Sequence, residues 1–330
     1  MQVSYHPALL FRELTLRVAT LSSSSNQTST DSPSSNSIWP DVSLVGVALI
    51  WGINIPIMKN GLDEVDSLVF NAVRLTVSAA VLAVFALRER RNGILPQPGL
   101  SKRKVVTYGI IVSGLYQLCF LLGISRTTSG NTALIIATVP MWTALIARIF
   151  LSEKLLKLAW CGLSLALVGT VVVALQKNDV SAGQEHLIGN IFVLSAALMW
   201  SIGTVYSRPL LKKISPMQLS ATGVVLALPL HLLVAGWRFS DSVDVLMSVR
   251  VWSIILYAGV LSSGLALPMW NFGVRHAGAA HASIIQNLIP VIAIIAAWMT
   301  RGETVTVGQM LGGSLILGGL VIMRSARRKE

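Results

Sequence analysis

The run TALIIATVPMWTALIARIFLSE, Thr132–Glu153, has a counterpart in ASIIQNLIPVIAIIAAWMTRGE, Ala282–Glu303. Each is apolar, with one proline near its middle and one glutamate at its end. Pro140 and Pro290 stand 150 residues apart, and so do Glu153 and Glu303. A proline inside a membrane-spanning helix leaves a backbone carbonyl without its N–H partner. Lipid supplies none, so that carbonyl must face protein or a wet cavity. Two such helices at matching places in two halves point to the solute site of a duplicated membrane carrier, with Pro140 and Pro290 as hinges.

Composition agrees with a membrane setting. The chain has 330 residues, 53% hydrophobic and 12% charged, about half the charge of a soluble domain at roughly 25%. The charges cluster between apolar blocks of about 20 residues, the length that crosses a bilayer. The net charge of +12 fits basic loops that set orientation. Nucleic-acid binding is not expected, since no basic face carries interleaved aromatics. Cys119 and Cys161 both fall inside apolar runs without metal-ligand spacing, so neither a disulfide framework nor a metal site is expected, and no cofactor.

Residues 1–42 form a tail. Its stretch SSSSNQTSTDSPSSNS, Ser22–Ser37, cannot bury a core and is expected to be disordered. Ahead of it, arginines and serines with few acids also fit an organelle transit peptide. Ten spans follow, at 43–62, 67–87, 105–124, 131–151, 158–176, 187–207, 216–237, 252–273, 280–300 and 305–323. The polar linker QKNDVSAGQEH divides them into halves, 43–176 and 187–324.

The halves repeat. At an offset of 150, Gly109 and Ser113-Gly114-Leu115 meet Gly259 and Ser263-Gly264-Leu265, and Gly162 and Gly169 meet Gly312 and Gly319. At 149, Ala48, Trp51 and Lys59 meet Ala197, Trp200 and Arg208. Five spans per half is an odd number, so the second copy enters the bilayer from the other side. The fold class read from this is all-α: about ten transmembrane helices in two inverted five-helix repeats. With a cytoplasmic N-terminus, sixteen basic residues fall in cytoplasmic loops and tail against six opposite, so both termini are expected in the cytoplasm.

These residues resemble the drug/metabolite transporter superfamily, in particular ten-helix carriers built from two EamA-type repeats. The resemblance covers about residues 43–324. It rests on Trp51-Gly52, on Pro140 with Glu153, on Pro290 with Glu303, and on the glycine-rich fifth and tenth spans. It implies a central cavity between the halves, alternating access, and export of metabolites such as amino acids or drugs across the plasma membrane. Pro56, inside the first span, departs from the pattern.

Candidate substrate contacts follow from helical periodicity. In the ninth span, Ser283, Gln286, Asn287 and Pro290 share one face, and amides facing lipid are expensive. The alternative is interhelical hydrogen bonding. Trp51 and Asn54 in the first span, with Trp200 and Thr204 in the sixth, form a second surface, which either lines a cavity or fills the bundle core. Tyr116, Gln117, Trp270 and Asn271 are further candidates. Glu153 and Glu303 suit helix starts, where a carboxylate meets free N–H groups. Arg74 lies inside the second span and needs a partner; His231 reads as a packed neutral side chain.

The rival classes are an intramembrane enzyme and a non-transporting sensor or scaffold. An enzyme would need clustered catalytic groups. His276 and His281 are not on one helical face, no carboxylate accompanies them, and no ATP-binding glycine loop is present. The partners expected are a small-molecule substrate and the lipid bilayer, with a homodimer left open.

Overall fold

The computed structural model describes residues 38–151, 157–174, 183–286 and 288–327. All the elements below fall in one compact unit, Ile38–Glu330. The expected tail lies outside the described residues up to position 37, as does Glu153. Helix α1 (Trp39–Leu62) begins a turn before the expected boundary, because Pro40 needs no N–H partner in a first turn and Asp41 suits the helix start. It runs unbroken through Pro56. Then come α2 (Ser67–Arg91), α3 (Lys102–Ile124), α4 (Ser129–Ile136, then Val139–Leu151) and α5 (Lys157–Ala174). The second half has α6 (Gly183–Leu211), α7 (Pro216–Ala235), α8 (Val249–Ala277), α9 (Ala279–Gln286, then Leu288–Arg301) and α10 (Val307–Arg327).

Seven of these, α1–α4 and α6–α8, are long and apolar enough to cross a membrane, and the other three carry shorter apolar stretches. Among the described residues there is no strand. Val84, Phe150, Leu233 and Met299 leave more than 60% of their surface outside the packed bundle, as lipid-facing residues do. The chain is an all-α integral membrane protein.

Helix packing carries the duplication into three dimensions. Helix α1 lies against α8 and α9, and its repeat mate α6 lies against α3 and α4. Helix α2 packs on its own mate α7, and α5 on its own mate α10. Exchanging the halves maps each contact onto another or onto itself, which is the behaviour of a pseudo-two-fold axis. The α5–α10 crossing shows it at atomic scale. A Cβ on Gly169 would lie 2.6 Å from the Gly312 carbonyl oxygen and 2.8 Å from the Ile316 nitrogen, and Gly319 faces Gly162 and Ala166 in the mirrored arrangement. Only glycine lets the two backbones approach so closely.

One pair of irregularities obeys the same symmetry. Helices α3 and α8 widen into π-helix at Gly109–Leu115 and Tyr257–Leu265, against α7 and α2 respectively. Helix α4 is interrupted by a turn at 137–138, just before Pro140; the matching position before Pro290 in α9, Asn287, lies outside the described residues. Neither proline can donate to the carbonyl four residues back, and those carbonyls belong to Ile136 and Gln286, which are repeat mates.

The two ends of the bundle are tied differently. At one end, ion pairs join the halves: Arg301–Asp63 at 2.8 Å, Arg238–Asp66 at 2.6 Å, Arg250–Glu64 at 3.2 Å and Arg126–Glu185 at 3.6 Å. Arg301 also bonds Asn60 and, at 2.9 Å, Glu303. Glu303 does meet a helix start, but that of α4 in the other half: its carboxylate accepts from the Ser129 N–H and hydroxyl at 3.1 and 3.0 Å. Helix α10 is capped instead by Thr306 and Gln309, each side chain accepting the other's N–H. At the opposite end Gln97 N–H donates to the Lys213 carbonyl at 2.7 Å, and Gln218 Nε2 donates to the Ile94 carbonyl at 2.7 Å and to Glu89 at 3.3 Å.

Candidate functional site: a cavity on the pseudo-two-fold axis

A central cavity of about 60 Å³ lies between the halves, room for about two waters at ~30 Å³ each. Six of the residues expected at a substrate site line it: Trp51, Asn54, Tyr116, Gln117, Trp200 and Gln286. Trp51 and Trp200 are repeat mates, and their rings meet edge-on with centroids 5.2 Å apart. Trp270 closes the cluster at 5.6 and 5.7 Å from the two, and Tyr116 lies 4.9 Å from Trp200.

The other expected residues stand elsewhere. Trp270 packs behind the lining, 2% exposed. The Thr204 hydroxyl donates to the Trp200 carbonyl of its own helix at 2.9 Å. Asn271 Nδ2 donates to the Tyr108 hydroxyl at 3.2 Å and to Ser220 Oγ at 2.9 Å, so it joins α8 to α3 and α7. Neither Thr204 nor Asn271 is in the cavity wall. The Ser283 side chain and the whole of Asn287 lie outside the described residues. Pro140 and Pro290 are buried, and the cavity lining includes Ile136 and Gln286, whose carbonyls those prolines have no N–H to bond.

Polar atoms in the wall are incompletely matched. Trp51 Nε1–H donates to the Ser262 carbonyl in the π turn of α8 at 2.9 Å, whereas Trp200 Nε1 has no partner. Asn54 Nδ2 touches Met58 Sδ at 3.0 Å, but its Oδ1 is unpartnered, as are Gln286 Oε1 and Arg74 Nε. Burying one such group without a partner costs roughly 1–3 kcal/mol. Four in one cavity wall calls for water or a solute to meet them.

Arg74 is the wall residue that periodicity left without an assignment. It is 2% exposed. Its guanidinium donates to Ser263 Oγ and Gln117 Oε1, both at 2.8 Å, and to Asn71 Oδ1. Because Arg74 only donates, Asn71 shows it the oxygen and turns its NH₂ to His231 Nδ1 at 3.0 Å. That nitrogen therefore accepts, and Nε2–H donates to the Ser113 carbonyl at 2.8 Å, which is a neutral imidazole. The signal in the sequence was an arginine deep in a span whose repeat mate is a glycine. Among the described residues no group of three His, Cys, Asp or Glu side chains could hold a metal ion.

The EamA-like transporter family model matches residues 38–175 and 187–325. The uncharacterized transporter YoaV of Bacillus subtilis is 28% identical over 84% of this chain and 94% of its own length. A protein of Streptantibioticus cattleyicolor named a probable terminal-alkyne amino-acid exporter is 25% identical, over 90% of this chain and 97% of its own length. The inner membrane transporter YedA of Escherichia coli K12 is 23% identical over 85% of this chain and 89% of its own. A solved crystal structure shares the fold at 19% identity with a TM-score of 0.64, covering 88% of this chain and 99% of that one.

Proposed function

The chain belongs to the EamA-like transporter family, and from that premise we propose a secondary transporter that moves a small organic metabolite, such as an amino acid or a drug, outward across the cytoplasmic membrane by alternating access. One observation carries the reading: four buried polar atoms without partners converge on a cavity at the axis where Trp51 meets its mate Trp200. A solute there would touch both halves at once. Pockets for drug-sized ligands run to roughly 300–1,000 Å³, well above this cavity, so admitting one requires the halves to part. Both ends are tied across the halves, as expected of a carrier closed around its site. The relative named a probable amino-acid exporter supports the outward direction and the amino-acid class.

Flux tests this. Protein reconstituted in proteoliposomes should release a trapped mixture of amino acids and other small metabolites selectively and saturably. Folded protein that moves no solute of any class would return the chain to a sensor or scaffold. Gln286→Leu removes an unpartnered acceptor from the wall. It is expected to weaken substrate affinity by roughly three- to a hundredfold, while Thr204→Val, a bond within one helix, should leave affinity unchanged. Equal losses from both changes would assign Gln286 to packing.

Orientation is proposed from the loop charges: both termini cytoplasmic, with the 92–101 loop inside and the 239–248 loop outside. Single cysteines replacing Gln97 and Met247, in a chain with Cys119 and Cys161 changed to serine, report on this with an impermeant thiol reagent. Intact cells should label Met247→Cys and spare Gln97→Cys; the opposite pattern inverts the topology.

A further inference from the structure

The repeats diverge most sharply at Arg74. Its mate, 149 positions on, is Gly223. The surroundings of the two remain matched. Arg74 donates to Ser263 Oγ at 2.8 Å, and a Cβ on Gly223 would lie 3.1 Å from the Oγ of Ser113, the mate of Ser263. Duplication built this contact twice and charge stands on one side only, so architecture alone does not require the arginine.

A guanidinium removed from water is costly unless an anion answers it. Arg74 finds three neutral oxygens, on Asn71, Gln117 and Ser263, and among the described residues no carboxylate lines the cavity. Its Nε is buried without an acceptor, and so is Trp200 Nε1 from the other half; both residues line the cavity. Two buried N–H donors, one on a permanent cation, suit a ligand with two oxygens sharing a negative charge. The planar fork of arginine matches a carboxylate in geometry as well as sign. The rest of the wall is mixed: Trp51, Tyr116, Phe120 and Ile289 offer apolar faces for a solute's body, and Asn54 Oδ1 and Gln286 Oε1 are free to accept from any donor it carries. An aromatic wall can also hold an ammonium group over its ring faces, but the positive charge of Arg74 in the same cavity opposes a solute that carries that charge alone.

We propose that Arg74 is the anion-binding group of this cavity and that the solute it takes is a small organic carboxylate with an apolar body. This rests on the transporter reading for its purpose and on the cavity wall for its chemistry. The test uses the full-length purified protein and two matched pairs, phenylacetate with phenethylamine and butyrate with butylamine, read by thermal stabilisation. A carboxylate should raise Tm in a saturable way where its matched amine does not. Arg74→Gln keeps donors for its neighbours but loses the charge, and should weaken the carboxylate's affinity by about ten- to a hundredfold. Arg74→Lys restores the charge without the fork and should recover part of that affinity and the preference for carboxylate over amine. If Arg74→Gln does not fold, Arg74→Lys decides alone, since wild-type affinity in it would exclude a recognition role for the fork. Amines that stabilise as well as carboxylates, no stabilisation by either carboxylate, or an unchanged response in the variants overturns the inference. Flux of an uncharged or cationic solute with no carboxylate response sinks it and leaves the transporter reading standing. Carboxylate binding that needs Arg74 but is accompanied by no flux of any solute upholds the site and sinks the transporter.

Discussion

Gly319→Ala is expected to lower the melting temperature by roughly 2–8 °C, although it adds a single methyl group. The new Cβ would lie 2.7 Å from the Ala166 nitrogen, 3.0 Å from the Ala166 Cβ and in collision with the Gly162 carbonyl oxygen. Two of those three atoms are backbone, so no rotamer change relieves the clash and α10 must move away from α5. Overpacking of this kind costs about 1–3 kcal/mol. Gly318→Ala is the control one residue away, where the nearest atom to the new Cβ is Leu165 Cδ2 at 3.9 Å. There alanine gains helix propensity of about 1 kcal/mol and should hold or raise Tm. The two variants, compared by thermal unfolding in detergent, differ only in which side of α10 carries the methyl. A shared response would remove the α5–α10 crossing as the point of close approach.

Pro290→Ala is expected to move stability and transport in opposite directions. Alanine has the N–H that proline lacks, so the Gln286 carbonyl regains its partner. Recovering the bond contributes about 1 kcal/mol, and removing a proline from a helix interior up to about 3 kcal/mol. If the carrier must flex at this proline to admit and release its solute, the same energy holds it in one state, and turnover falls roughly ten- to a hundredfold. Pro140→Ala should act alike in the other half. The paired readout is Tm and initial flux in proteoliposomes. Higher Tm with undiminished flux would show the proline to be incidental to the cycle.

The architecture was legible because membrane folding writes it in long-range periodicity. Apolar blocks gave ten spans, two offsets gave the duplication, and an odd number per half gave the inversion. The paired tryptophans met at the axis because a duplicated fold preserves its geometry at rare residues. The rest depended on which face of one helix meets which face of another. Asn271 and Thr204 are polar residues on the right helices, yet one turns to Tyr108 and Ser220 and the other bonds its own backbone. Arg74 shows the limit most clearly. Its need for partners follows from burial, but the partners come from three helices, at Asn71, Gln117 and Ser263. The presentation of Ser263 depends on a π turn that no residue pattern announces.

The meeting of Trp51, Trp200 and Trp270 has an optical consequence. Indoles this close couple their electronic transitions and split them into a paired circular-dichroism signal, whereas the exposed Trp39, Trp237 and Trp298 take no part in the cluster. Trp51 and Trp270 stand on α1 and α8, which pack together, and Trp200 on α6, which packs on α3 and α4. Any motion that parts these two groups of helices therefore stretches the 5.2 and 5.7 Å contacts and leaves the Trp51–Trp270 contact as an internal reference. The protein thus carries its own unlabelled spectroscopic ruler, set across the axis on which its two copies meet.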